Sequence, residues 1–178
     1  MTDFLIRNAA AIMTGLPGAS ARARGSDIRV RGGMIAAIGT LAPERGEVVH
    51  DATDCVIYPG WINTHHHLFQ SLMKGIPAGI DLQLVPWLSA VPVAYRRFVD
   101  EDNIRLAASI GMAELLLSGC TTIADHHYAY YPGMPFDSSA ILFDLAERFG
   151  LRYVLMRGGA TKVRESDVAP PPEARPET

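Results

Sequence analysis

Two apolar runs that end in histidines, separated by a helical pattern, set the limits on what this chain can fold into. The first is Val56-Ile57-Tyr58-Pro59-Gly60-Trp61-Ile62, followed by Asn63-Thr64-His65-His66-His67. The second is Cys120-Thr121-Thr122-Ile123-Ala124, followed by Asp125-His126-His127-Tyr128. Between them Ile104, Ala107, Ala108, Ile110, Leu115 and Leu117 supply the apolar face of a helix over Asp100–Leu117, with Asp100 or Asp102 as its cap and Gly119 as its stop. Strands alternating with amphipathic helices signal parallel βαβ units. The pattern continues: Asp137-Ser138-Ser139 can cap a second helix carrying Ile141, Leu142, Leu145 and Phe149, Gly150 stops it, and Leu151–Met156 reads as a third strand.

The region before this alternation has a different character. Phe4-Leu5-Ile6 reads as a strand, and Asp27-Ile28-Arg29-Val30-Arg31 alternates charged and apolar residues at period two. Gly32-Gly33 supplies a hairpin turn before Met34–Gly39. The expected organisation is therefore a β-rich segment over 1–55 and an α/β region over 56–178. Gly15–Gly25, rich in Gly, Ala and Arg, reads as a mobile loop, and the proline-rich end Ala169–Thr178 reads by itself as a disordered tail.

Composition narrows the partners. A chain of 178 residues with 48% hydrophobic and 20% charged residues is globular in type, and its net charge of −3 lacks the basic excess that a phosphate-backbone binder needs. Nucleic acid is not an expected partner. No stretch approaches the ~20 apolar residues of a membrane span, and Met1–Asn8 lacks the basic start and apolar core of an export signal, so no membrane association and a cytoplasmic location are expected. Cys55 and Cys120 both sit in apolar, strand-like contexts and read as reduced, buried thiols.

The histidines carry the chemistry. At the end of a strand, side chains two apart share a face, so His65 and His67 point one way and His66 the other. Two imidazoles on one rigid edge are half of a metal site. Zinc takes neutral histidine nitrogens, and a catalytic site keeps one position open for water.

The stretch Tyr58-Pro59-Gly60-Trp61-Ile62-Asn63-Thr64-His65-His66-His67 resembles the first barrel strand of the amidohydrolase superfamily. Leu68-Phe69-Gln70-Ser71-Leu72 and Ser118–Tyr128 resemble its aminohydrolase branch, the deaminases of 8-oxoguanine and isoxanthopterin. Tyr130–Phe143 and Arg157-Gly158-Gly159-Ala160-Thr161 lean toward the isoxanthopterin side. The resemblance implies a metal-dependent (β/α)8 barrel of TIM type, preceded by part of a β-sandwich. Such a barrel takes ~250 residues, so only its first strands fit here and the chain is expected to be truncated, with Ala169–Thr178 a loop after the third strand.

By the same resemblance His65 and His67 are ligands of one divalent ion, with zinc expected and iron or manganese the alternatives. The reaction implied is hydrolytic deamination of a pterin or oxidised purine ring, in which activated water attacks the carbon bearing the amine and ammonia leaves. The small heteroaromatic substrate and water are the expected partners, and the full-length protein is expected to be a homo-oligomer. The remaining ligands and the proton-transfer groups are expected beyond Thr178, so the chain alone is expected to be inactive. Triazine amino- or chlorohydrolases of the same superfamily, and barrel proteins that have lost their metal ligands and serve in assembly, are competing readings. The intact His65 and His67 argue against the last.

Gln70 both donates and accepts hydrogen bonds, which suits the edge of a lactam ring; the alternative is a surface glutamine. Trp87 can stack on a flat ring or pack its loop. His126 and His127 are expected at the barrel mouth, contacting substrate or supporting the metal ligands, with capping of loop backbone as the other reading. Glu114 reads as a solvated helix residue, and Cys120 as packing.

Overall fold

The apolar stretch near the N-terminus forms strand β1 (Phe4–Arg7), and β2 (Ala11–Ile12) follows a turn in which Asn8 takes a φ of 65°. The computed structural model describes residues 3–159. The chain divides into two compact units, Met1–Pro59 and Gly60–Thr178.

In the first unit the alternating segment is strand β3 (Asp27–Arg31), and the Gly32-Gly33 turn leads it back as β4 (Met34–Gly39), antiparallel to it. Both turn glycines have positive φ, 56° and 80°. With β5 (Val48–Asp51) these strands make a sheet of order β4-β3-β1-β5, in which β1 runs antiparallel to β3 and parallel to β5. Strand β6 (Val56–Ile57) pairs in parallel with β2. Leu5, Ile12 and Ile28 are buried. So is Asp27, whose carboxylate accepts from the backbone N–H groups of Leu41 (2.7 Å) and Asn8 (2.9 Å) and is held below the usual carboxylate range mainly by the Leu41 bond. Arg29 grips Glu47 with a two-pronged contact, Nε to Oε1 at 2.8 Å and Nη2 to Oε2 at 3.0 Å.

Three expectations for this unit are corrected. Val56-Ile57 does not open the barrel strand; it belongs to the two-stranded sheet with β2, because Pro59 and Gly60 interrupt the apolar run. Cys55 is exposed, since it follows the tight turn at Thr53-Asp54 and is not inside a strand. Gly15–Gly25 is an ordered turn: Met13 bridges Arg22, Ala23 N–H donates to Ile12 O at 2.9 Å, and Gly18–Ser20 forms a 3-10 turn.

The second unit follows the βα alternation. Strands β7 (Trp61–His66), β8 (Cys120–His127) and β9 (Arg152–Arg157) lie parallel in the order β7-β8-β9. After β7 the chain makes 3-10 turns at Leu68–Met73 and Pro77–Gly79 and a short helix α1 (Leu84–Leu88). Helix α2 (Glu101–Leu117) starts where Asp100 accepts from Asn103 N–H at 2.8 Å. Helix α3 (Ser138–Phe149) starts where Asp137 accepts from Ser139 and Ala140, and ends at Gly150 with a φ of 71°. Ile104, Ala108 and Met112 of α2, Ile141, Leu142 and Leu145 of α3, Leu68 and Ile123 form the core. Leu117 departs from the expected apolar face: it is 89% exposed, because at 100° per residue it has rotated away from the stripe begun at Ile104. Cys120 is buried. Ala169–Thr178 and Ala160-Thr161 lie outside the described residues. Among the described residues no helix is long and apolar enough to cross a membrane.

Candidate active site

Strand alternation carries β7 up to the histidines, and β8 supplies the neighbour that orients them. The rings of His65 and His67 stand nearly perpendicular with centroids 4.9 Å apart. His126 joins them, 4.7 Å from His65 and 5.8 Å from His67. His67 Nδ1 lies 2.7 Å from the backbone carbonyl of His126. A carbonyl only accepts, so Nδ1 carries the proton and Nε2 keeps its lone pair, the form in which imidazole binds a metal. His126 Nε2 sits 3.3 Å from the carbonyl of Thr64, which by the same logic leaves its Nδ1 as the acceptor.

Among the described residues no group of three His, Cys, Asp or Glu side chains is arranged to hold a metal ion. The donor chemistry of His65 and His67 nevertheless fits a histidine-binding divalent ion as two of its protein ligands. His66 leaves from the opposite face, toward Gly111 of α2, and burial lowers its pKa.

A cavity of about 440 Å³ opens beside the pair, lined by His65, His67, Gln70, Lys74 and Trp87 among others; His66, though its ring reaches Gly111, also contributes to its wall. Gln70 and Trp87 are thus brought to the histidines although they lie on different elements. Gln70 Nε2 donates to the Tyr128 hydroxyl, so one end of its amide is tethered. Tyr128 packs edge-on against His67 at 5.2 Å and Phe69 at 4.9 Å, and burial raises its pKa. Glu114 is exposed and pairs with Lys74, as a solvated helix residue should.

His127 is not brought to this cavity. The strand does not stop at Ala124 but runs on through His127, so period two sends His126 to the histidine pair and buries Asp125 and His127 on the other side. His127 lies between Phe69 and Tyr130, its Nε2 3.1 Å from Ser138 Oγ, and burial holds its pKa down to about 4, with Arg157 adding to the effect. It secures the start of α3.

Asp125 was legible only as part of a polar cluster. It is fully buried and accepts from Leu68 N–H at 3.0 Å and from the Tyr153 hydroxyl at 2.8 Å; burial pushes its pKa up. A carboxylate one residue from the end of an apolar alternation was the available signal. Tyr153, inside the third apolar run, gave none.

Comparison with known proteins places the chain in a family. An isoxanthopterin deaminase of an unknown prokaryotic organism is 62% identical over 177 residues, which are 98% of this chain and 37% of that protein. An 8-oxoguanine deaminase of Pseudomonas aeruginosa is 38% identical over 123 residues, 69% of this chain and 27% of that protein. The crystal structure of the atrazine chlorohydrolase TrzN from Arthrobacter aurescens TC1, complexed with zinc, superimposes with a TM-score of 0.79 at 28% identity, covering 90% of this chain and 36% of that one. The chain therefore spans not much more than a third of the length of these relatives, and its three parallel strands and flanking helices are the corresponding part of their barrel. The family model matches residues 56–175, the stretch that carries the paired histidines, the cavity and the β7-β8-β9 sheet; the chain belongs to the amidohydrolase family.

Proposed function

We propose that this chain forms part of the metal site and ring-binding pocket of a hydrolase that deaminates a pterin or an oxidised purine. The observation that carries the reading is the placement of His65 and His67, one with its Nε2 lone pair set free, in the wall of a cavity shared with Gln70 and Trp87. His65 and His67 would hold one divalent ion, and zinc suits their nitrogens and is present in the triazine hydrolase relative. Such an ion supplies a nucleophilic water near neutral pH. The chain's own residues bind and orient the ring. Gln70, tethered at Nε2 by Tyr128, turns its carbonyl toward an N–H of a lactam edge, and Trp87 covers the flat face. His126, whose ring lies 4.7 Å from that of His65, would contact the substrate or support the metal ligands.

The relatives named for isoxanthopterin and 8-oxoguanine support an amino- and oxo-substituted bicyclic ring. A catalytic zinc site takes three protein ligands and an open position, and two are offered here. Ammonia release should therefore be measured with this chain and with a version extended to the length of its relatives, zinc or iron being supplied. The extended protein should act fastest on isoxanthopterin or 8-oxoguanine, and this chain should stay at background. Turnover of triazines alone would replace the reading with that of a triazine hydrolase.

A further inference from the structure

Directly after His67 the chain turns into the 3-10 segment Leu68–Met73, and the His67 side chain does not cap it. The Leu68 N–H would then be an orphan donor in an apolar layer, since Leu68 is fully buried. Asp125 Oδ1 takes that N–H at 3.0 Å, and Tyr153 of the next strand fixes the other carboxylate oxygen at 2.8 Å. One residue further along β8, the carbonyl of His126 takes the ring proton of His67 at 2.7 Å. Successive residues of β8 thus hold His67 twice, by its outgoing peptide and by its ring.

We propose that Asp125 and Tyr153 are positioning residues for His67: they pin the His67-Leu68 peptide so that the ring keeps its bond to the His126 carbonyl and presents Nε2 to the cavity. The inference rests on the reading of His67 as a metal ligand only in what the presented nitrogen is for. A fully buried carboxylate is costly and is retained only where its oxygens are matched by donors. Here the donors are one phenol and one backbone group, and both lead to the histidine strand or its neighbour. Apolar residues of similar size would fill the layer equally well but would leave the Leu68 N–H unpaired.

The test uses the variants Tyr153→Phe, which keeps the packing and removes the hydroxyl, and Asp125→Asn, which keeps an acceptor for Leu68 but loses the charge. The first readout is the nitrogen-15 signature of the His67 ring in the metal-free chain, at a pH where imidazoles are neutral. The unaltered chain should show a single Nδ1–H tautomer, and both variants a mixture of the two. The second readout is cobalt(II) affinity by d–d absorption, which should fall by about 10-fold or more, as for other groups that orient a ligand. A mixed tautomer in the unaltered chain, or an unchanged single tautomer in both variants, would overturn the proposal. If Asp125→Asn does not fold, Tyr153→Phe alone decides. If the tautomer changes as expected but the unaltered chain takes up no cobalt, the positioning stands and the ligand assignment falls.

Discussion

The ring of His67 gives its Nδ1 proton to the backbone carbonyl of His126 across 2.7 Å. Because that carbonyl can only accept, the bond selects one tautomer of a ring that lines the same cavity as His65. One ring is thus oriented, and its partner stands 4.9 Å away.

Metal uptake should follow from that pair. His65→Ala or His67→Ala should each lower the divalent-ion content, and the double variant should abolish it, by elemental analysis after dialysis. His66→Ala should do much less, since its ring faces Gly111 across the strand. Full occupancy in the double variant would remove His65 and His67 from the ligand set.

The start of β7 should tolerate no side chain at Gly60. A Cβ there would lie 2.3 Å from Thr121 Oγ1, 2.4 Å from its Cγ2 and 2.9 Å from its Cβ, so no rotamer of Thr121 clears it. Gly60→Ala should cost about 1–3 kcal/mol in denaturant unfolding, the usual price of overpacking. Adding Thr121→Ala should recover part of the loss; an unaltered midpoint in Gly60→Ala would show that the strands simply part.

His127 should make stability depend on acid. Its pKa is lowered from 6.5 to about 4, so between these values the unfolded chain binds the proton and the folded chain does not. Stability is then complete above 6.5 and is lost as the pH falls toward 4, by up to about 3 kcal/mol. Unfolding curves across this window should show the slope in the unaltered chain and a shallower one in His127→Gln, where the buried His66 still contributes.

Glu47 should act at lower pH. Arg29 holds its carboxyl down from 4.5 to about 2, so its contribution is present above 4.5 and disappears as the pH falls through that range. Glu47→Gln should flatten this part of the acid-unfolding profile of the N-terminal unit, and an identical profile would show that the Arg29 contact contributes nothing measurable.

What could be read from sequence was whatever a strict period fixes. His65 and His67 come together as an alternating strand end suggests, although β7 itself ends at His66, and Asp100 and Asp137 cap helices because their side chains reach the first free N–H groups. Errors arose where the end of an element mattered. A β8 that ends at Ala124 brings His126 and His127 together at the barrel mouth, whereas three further strand residues drive them to opposite sides. Reading Val56–Ile62 as one strand ignored the break at Pro59-Gly60, which hands Val56 and Ile57 to β2. The Asp125–Tyr153 contact, 28 residues apart in the chain, has no local pattern to betray it.

The partners in the His67–His126 bond stand 59 positions apart, with helix α2 between them. Closing so long a loop carries an entropic cost that local helix formation does not, so α2 and α3 can take shape early, whereas the bond must wait for β8 to dock on β7. A nascent or partly melted chain thus carries its histidines with both tautomers in exchange and no fixed spacing between the rings. In the proposed site, chelation would be a late event in the life of the polypeptide, coupled to completion of the sheet, and a divalent ion would meet an organised pair only on molecules that have finished folding there.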